Sequence, residues 1–540
     1  MTSWLAFFQQ HLAVLPVLLP ALTGVLLLLL GDPGVDAHGG HGHHKLLWAR
    51  RLALISTALG LAIALALLLR AADGELLTYR LGDWPAPFGI ILLVDRLGAL
   101  MLVLGACVAL PVLCYATGGW DAHGRYFHAL FQFQLMGLYG AFVTGDLFNL
   151  FVFFEVLLVA SYVLMLHGQG AERFRVGLHY VVLNLAASAL FLIGVALIYA
   201  KTGTLNLADL ALRVPQVPAP DAALVQAAGL LLLVVFGFKA ALMPLSMWLP
   251  ATYAAASPPV AALFAIMTKV GVYAIVRVHG VIFGDSSGAT AMAVAPVLLP
   301  LALLSSVVGV LGALAAKTLA RLIAWLTVAS VGTVLVGLGL YSPAAWSAAF
   351  FYMINSTLVI AALFLLAELV AAQRGAAEGQ LRPASAVSQP TLLGLMTLLA
   401  AASLAGLPPL PGFIGKLMLL QASVGQAWGH MVWAVLLGVG FFTLIGLARA
   451  GSILFWHVRS DLPNEASSGS SPKLVLATCS LLAASVGVSV AAAPIQRYTA
   501  AAALQLTDRS AYAEAALAAQ GGAAAQTTRP YRQQKKELRR

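Results

Sequence analysis

The chain is a succession of long apolar runs, each close to the length at which a helix crosses a bilayer. A spanning helix takes about 20 residues at a rise of 1.5 Å each. Runs of that kind fall near residues 4–30, 52–70, 88–115, 127–144, 147–166, 176–200, 223–243, 258–281, 291–314, 321–341, 345–370, 390–406, 428–456 and 473–493. They predict about fourteen spanning segments. Backbone inside lipid must satisfy its own hydrogen bonds, which leaves helices or a closed barrel. The runs are long and continuous rather than alternating, and that disfavours the barrel. Only 9% of the residues are charged, whereas a soluble chain carries about 25%. The expectation is an all-α polytopic membrane protein, with the first run retained because it is too long for a cleaved leader.

No stretch between the runs is long enough for a soluble domain. The longest polar segments are a His/Gly-rich loop at 31–51 and a basic tail from about 494. The chain therefore divides into residues 1–126 (three N-terminal helices), 127–281, 291–456, a single helix at 473–493, and the tail 494–540. The net charge of +10 does not point to nucleic acid. Eight of the thirty Lys and Arg follow Ala493 and most others sit in short loops, where basic residues set topology. With the N-terminus outside, the inner loops hold Lys45, Arg50, Arg51, Arg125, Arg173, Arg175, Lys317, Arg321, Arg374, Arg382, Arg459 and Lys473. The outer loops then hold Arg70, Arg80, Lys201, Arg213 and Arg277. The excess on the inner side selects this orientation.

Two apolar segments are interrupted by proline. One reads Phe236-Gly-Phe-Lys-Ala-Ala-Leu-Met-Pro-Leu-Ser-Met-Trp-Leu-Pro250, with Lys239 ahead of Pro244 and Pro250. The other reads Gly406-Leu-Pro-Pro-Leu-Pro-Gly-Phe-Ile-Gly-Lys416, with Lys416 behind Pro408, Pro409 and Pro411. Proline removes a backbone donor and clashes with the preceding turn, so each segment is expected to break into two half-helices. Broken backbone at membrane depth is tolerated only where protein or water satisfies it. A lysine before one break and after the other is what an inverted-topology repeat produces, pairing 127–281 with 291–456, as in ion transporters.

Charges inside the spans are the candidate functional groups, because each is costly to insert, by about 2.5–3.5 kcal/mol. They are Arg96, Lys239, Lys269, Lys416 and Arg449, with the acids Glu155, Asp95 and Glu368. Arg96, Arg449 and Glu368 lie near enough to helix ends to reach the interface or form structural pairs. Glu155, Lys239, Lys269 and Lys416 do not. Burial disfavours the charged form of an acid or a lysine and pairing restores it, so a buried acid–lysine pair switches state when a proton moves nearby. Glu155 and Lys239 would make such a pair, with Lys269 and Lys416 as further relay stations. Asp95, His179 and Thr327 are auxiliary candidates among polar residues that otherwise serve helix packing.

Other chemistry is not expected. Cys107, Cys114 and Cys479 read as small buried hydrophobes without a CxxC pair. His38, His41, His43 and His44 are separated by glycines in a solvated loop, a poor scaffold for a metal. No phosphate-binding glycine motif, nucleophile elbow, HExxH or haem pair occurs, so no cofactor or metal is anticipated.

Gly145-Asp-Leu-Phe-Asn-Leu-Phe-Val-Phe-Phe-Glu155, the Lys239 segment through Trp248-Leu-Pro250 to Ser257-Pro258-Pro259-Val260, and Lys269 resemble the proton-pumping membrane subunits of respiratory complex I. The set is more similar still to the D-type subunits of the multisubunit Mrp (Mnh, Pha) cation/proton antiporters, and the Gly406–Lys416 motif extends the match across most of residues 90–456. The resemblance implies a fourteen-helix fold with two inverted five-helix repeats, each with a broken helix. It implies Glu155 and Lys239 as a charged pair, Lys269 as central relay and Lys416 as terminal station. One departure lies at Phe351–Ile360, where relatives carry a histidine around Asn355 or Ser356 and a lysine near Ile360; water or Thr327 would have to bridge there. The implied function is proton translocation within a hetero-oligomeric Na+/H+ or K+/H+ antiporter of the bacterial cytoplasmic membrane, a transporter subunit rather than an enzyme, with other membrane subunits as partners. The alternative is a proton-pumping subunit of a redox complex, either complex I or a membrane-bound hydrogenase.

Overall fold

Helices account for nearly all of the regular structure. The computed structural model describes residues 11–31, 40–84, 89–458 and 469–519, and nineteen α-helices form among them. The N-terminal group is α1 (Leu15–Leu29), α2 (Gly40–Ala72) and α3 (Arg96–Ala116). It is followed by α4 (Phe127–Val143), α5 (Leu147–Met165), α6 (Ala171–Thr202), the short α7 (Leu207–Arg213), α8 (Ala219–Ala240), α9 (Trp248–Ala255) and α10 (Pro258–Ile275). The next group is α11 (Ala295–Ala315), α12 (Leu319–Gly339), α13 (Pro343–Ala371), α14 (Pro390–Ala405), α15 (Pro411–Ala422) and α16 (Gly429–Phe455). Three helices close the described chain: α17 (Pro472–Val490), α18 (Ala492–Thr507) and α19 (Arg509–Ala519). Eleven helical stretches are long and apolar enough to cross a membrane, so the chain is a multi-pass membrane protein.

The starts of these helices follow from local chemistry. Asp95, Asp146, Thr318 and Ser342 each accept a backbone N–H from the first turn, at 2.8, 2.8, 3.3 and 3.3 Å, as N-caps do. Proline opens α10, α13, α15 and α17, where its missing N–H costs nothing. Helices α10, α12 and α13 are apolar on every side and are buried on every side, which places them at the centre of the bundle. α8, α3 and α13 pack against α10, while α2, α16 and α17 lie at the periphery.

Two loops are tied in the same way. Leu147 N–H donates to Leu205 O and Leu207 N–H to Gly145 O (2.8 and 2.9 Å), making an Asp146–Asn206 bridge. Leu319 N–H donates to Gly379 O and Leu381 N–H to Lys317 O (both 2.8 Å), making a Thr318–Gln380 bridge. The turn ahead of α5 is thus stitched to the turn after α6 as the turn ahead of α12 is to the turn after α13.

Four expectations from the sequence are corrected. The run at 88–115 is not one helix: Ile91–Val94 is a strand paired antiparallel with Leu77–Arg80, because Asp95 caps a helix that begins only after it. The loop at 31–51 ends early, since α2 already runs from Gly40; Arg50 on it grips buried Asp121 with two bonds of 2.6 and 2.7 Å. His41, His43 and His44 therefore sit in a helix, and His38 lies outside the described residues. The tail from 494 is helical to Ala519: α18 turns Ala502, Ala503 and Leu506 inward, and it packs against α13. The basic residues Arg529 to Arg540 lie outside the described residues. Finally, Arg277 is not in an outer loop but is buried in a π-helical turn, Val276–Ile282, that prolongs α10.

Candidate functional site

Both proline segments break, and their first halves stop in the same manner. Ala241 (φ 59°) and Gly406 (φ 89°) take the left-handed conformation. The next N–H in each returns five residues, Leu242 to Gly237 O at 2.7 Å and Leu407 to Ala402 O at 2.9 Å, the Schellman ending of a helix. What satisfies the remaining polar backbone differs. At the first break, the Trp248 indole N–H donates to Phe238 O (3.1 Å) and the Ser305 hydroxyl accepts from Met243 N–H (2.8 Å). At the second, the Lys416 ammonium does the work, donating to Ala405 O at 2.7 Å and Leu404 O at 3.3 Å.

With its break closed by other groups, Lys239 is free to reach sideways. Its ammonium donates to Asn184 Oδ1 at 2.6 Å. The Asn184 amide in turn donates to Tyr180 O at 2.7 Å, which fixes its orientation. One turn further along α6, the Ser188 hydroxyl donates to Glu155 Oε1. Among the described residues, the ion pairs do not include Glu155 with Lys239. Each bonds instead to α6, Glu155 to Ser188 and Lys239 to Asn184, two residues four apart and so on one face of that helix. Beside Lys239 is a cavity of about 20 Å³, whose wall includes Asn184, Tyr180, Trp248 and Met267, room for about one water.

Lys269 is fully buried in the centre of α10, and among the described residues its ammonium reaches only the neighbouring Thr268 hydroxyl, at 3.3 Å. Its helix is held tightly against that of Lys239. A Cβ on Gly271 would lie 2.5 Å from Ala240 N and 2.9 Å from Lys239 C, so only glycine lets the two backbones approach this closely. Lys416 is buried at the second break, which α13 borders. There Asn355 Oδ1 accepts from Ser403 (3.0 Å) and Ser485 (2.8 Å), while its Nδ2 has no partner among the described residues. Asn355 therefore puts an amide beside the second break.

The auxiliary candidates separate on inspection. Asp95 forms a buried bidentate pair with Arg277, at 2.5 and 2.6 Å, and Arg277 also donates to Tyr512 of α19 (3.0 Å) and sits over the Tyr273 ring. Thr327 donates to Ile323 O in its own helix (3.0 Å). His179 is on the exposed face of α6, away from Asn184 and Ser188. Arg96 and Arg449 bond to carbonyls, of Ala72 and Ala316 respectively. Sequence reasoning passed over Asn184, Ser188 and Arg277. The signal for the first two was a polar stripe, Tyr180, Asn184, Ser188, at four-residue spacing on an apolar helix.

Residues 144–443 match the family described as NADH:quinone oxidoreductase/Mrp antiporter, transmembrane. That span contains both breaks, Glu155, half-buried Lys239 and the buried Lys269 and Lys416. A probable K+/H+ antiporter protein of Rhizobium meliloti, a D-type subunit, is 39% identical over 96% of this chain and 99% of that one. A Na+/H+ antiporter protein of the same type from Alkalihalophilus pseudofirmus is 35% identical over 94% of this chain and 100% of that one. In the solved structure of an Mrp complex from a Dietzia species, one chain superposes with a TM-score of 0.81 at 27% identity, covering 94% of this chain and 99% of that one.

Proposed function

The chain belongs to the NADH:quinone oxidoreductase/Mrp antiporter family of membrane subunits, and from that premise we propose that it is the proton-conducting subunit of a multisubunit monovalent cation/proton antiporter in the bacterial cytoplasmic membrane. Its partners are the other membrane subunits of that complex, and it is a transporter component rather than an enzyme. The observation that carries the reading is a pair of contacts made from one face of α6, Ser188 with Glu155 and Asn184 with Lys239, set in apolar helices beside a water-sized cavity. Nothing in folding requires an acid and three lysines at this depth.

In this reading Glu155 and Lys239 exchange charge through the two α6 side chains, Lys269 receives a proton across the close α8–α10 contact, and Lys416 is the last station. Exchange of two protons for one monovalent cation carries one net charge inward; that charge crossing 100 mV releases about 2.3 kcal/mol, more than the about 1.4 kcal/mol of a tenfold cation gradient, so such an exchange suffices to expel the cation. Fourteen membrane passes and two inverted repeats, 127–281 and 291–456, belong to the same reading. They are supported by the eleven long apolar helices with the shorter α1, α4 and α14, by the identically stitched loops, and by the lysine on opposite sides of the two breaks.

The test is cation-dependent proton movement in everted membrane vesicles. Glu155→Gln and Lys239→Ala are each expected to abolish exchange while the complex still assembles. Full exchange in both variants removes the relay.

A further inference from the structure

Behind the Lys239 cavity lies a second, much larger space. A cleft of about 520 Å³ opens among the starts of α6, α10 and α12 and the ends of α9 and α13. Glu172, Arg173, Arg321 and Glu368 line its wall, so it is polar enough to hold water. Arg173 and Arg321 belong to the basic residues that set the inner side of the membrane, so the cleft opens inward in that orientation.

The cleft and the cavity share one lining residue, Tyr253. It lies on α9, the half-helix released by the first break. Its ring is buried, packed against Trp248, Phe264 and Phe364 at centroid distances of 6.0, 5.4 and 6.2 Å. Its hydroxyl donates to Phe264 O on α10 at 2.9 Å, which pins the ring across the gap. The end of α9 is held too, since Arg173 Nε donates to Ala255 O at 2.8 Å.

We propose that the cleft is the aqueous route by which protons reach Lys239, and that Tyr253 is the residue that closes it. The ring keeps bulk water from the relay, and swinging it aside joins the cleft to the cavity. The side chain acts as a barrier, and its hydroxyl is a latch rather than a carrier of the proton. This rests on the reading of Lys239 as a relay group.

The experiment measures access directly. Lys239→Cys is placed in the full chain, with its three native cysteines replaced by serine, and expressed with its partner subunits. A membrane-impermeant thiol reagent is applied to everted vesicles. With Tyr253 present, a cysteine at 239 should react slowly, while Ala254→Cys, on the cleft wall, reacts fast. Tyr253→Ala should bring the cysteine at 239 to the cleft rate. Tyr253→Phe, which keeps the ring and loses the latch, should speed it about fivefold, equivalent to the ~1 kcal/mol of one neutral hydrogen bond. An unreactive cysteine at 254, or a rate at 239 that neither substitution changes in assembled complex, overturns the gate. So does a loss of antiport in Tyr253→Phe with access unchanged, because the hydroxyl would then be carrying protons. Accessibility is read apart from transport: a gate that opens as expected in a protein whose Lys239→Ala form still exchanges cations keeps the barrier and removes the relay.

Discussion

The two broken helices end alike and use their lysines differently. At the first break the freed carbonyl of Phe238 is met by a neutral indole and the Met243 N–H by a serine hydroxyl, so Lys239 has no part in holding the backbone and turns to Asn184. At the second, Lys416 is itself the cap, bonded to two carbonyls of α14. A cation suits that position, because the carbonyl end of a helix carries partial negative charge. The comparison teaches that a buried lysine in a membrane helix is not one kind of object. Where uncharged groups close the backbone the ammonium is available to change partners; where it closes the backbone itself, giving up its proton also loosens the fold.

The largest effect that separates the two is on assembly. Lys416→Met leaves the Leu404 and Ala405 carbonyls bare, at about 1–3 kcal/mol for a buried polar group without a partner. Less assembled complex in detergent extracts is the expected result, alongside lost exchange. Lys239→Met should lose exchange and leave assembly unchanged. Arginine sharpens the contrast, since it keeps the donors and the charge but does not deprotonate. Lys416→Arg is expected to recover assembly without recovering exchange. Equal assembly of the two methionine variants breaks the comparison. A smaller loss is expected from Trp248→Phe, which removes one of the two donors to Phe238 O and leaves Ala241 N–H at 3.1 Å, and it should lower the stability of the complex by about 0.5–1.5 kcal/mol. If Lys239 then turns back to serve as the cap, Trp248→Phe also lowers exchange, and a double variant with Lys239→Met loses no further activity.

How much of this was legible in the sequence varies with the kind of residue. Apolar run length was enough to show a multi-pass helical membrane chain, and proline with lysine marked both breaks, because those signals are local and strong. Glu155, Lys239, Lys269 and Lys416 stood out because charge in lipid is costly. The partners did not stand out. Asn184 and Ser188 form with Tyr180 only a short polar stripe on an apolar helix, a weak signal beside packing residues such as Thr327, which bonds back to its own turn. Arg277 was counted as a loop residue because the apolar run fades there; only the fold shows Asp95, 182 residues away, neutralising it. The helix α18 was hidden by its composition, since its alanine-rich inner face lacks the bulky apolar residues that mark a span. Long-range pairing and small-residue packing are tertiary facts, and a run-length reading does not reach them.

The smallest expected effect bears on whether the first break works through α6. Ser188→Ala removes one neutral donor from Glu155 and leaves Lys239 with Asn184, a change of about 0.5–1.5 kcal/mol. Half-buried Glu155 then loses its contact with α6, so exchange should slow by up to about tenfold. Assembly should not change, because Ser188 closes no broken backbone. Threonine at 188 keeps the hydroxyl and should restore the rate. The same substitution made in the Lys416→Arg background should add nothing, since that chain already fails at its last station. A Ser188→Ala variant with full exchange would mean that Glu155 and Lys239 communicate without α6. The first break would then differ from the second only in its caps, and the distinction between the two lysines would rest on assembly alone.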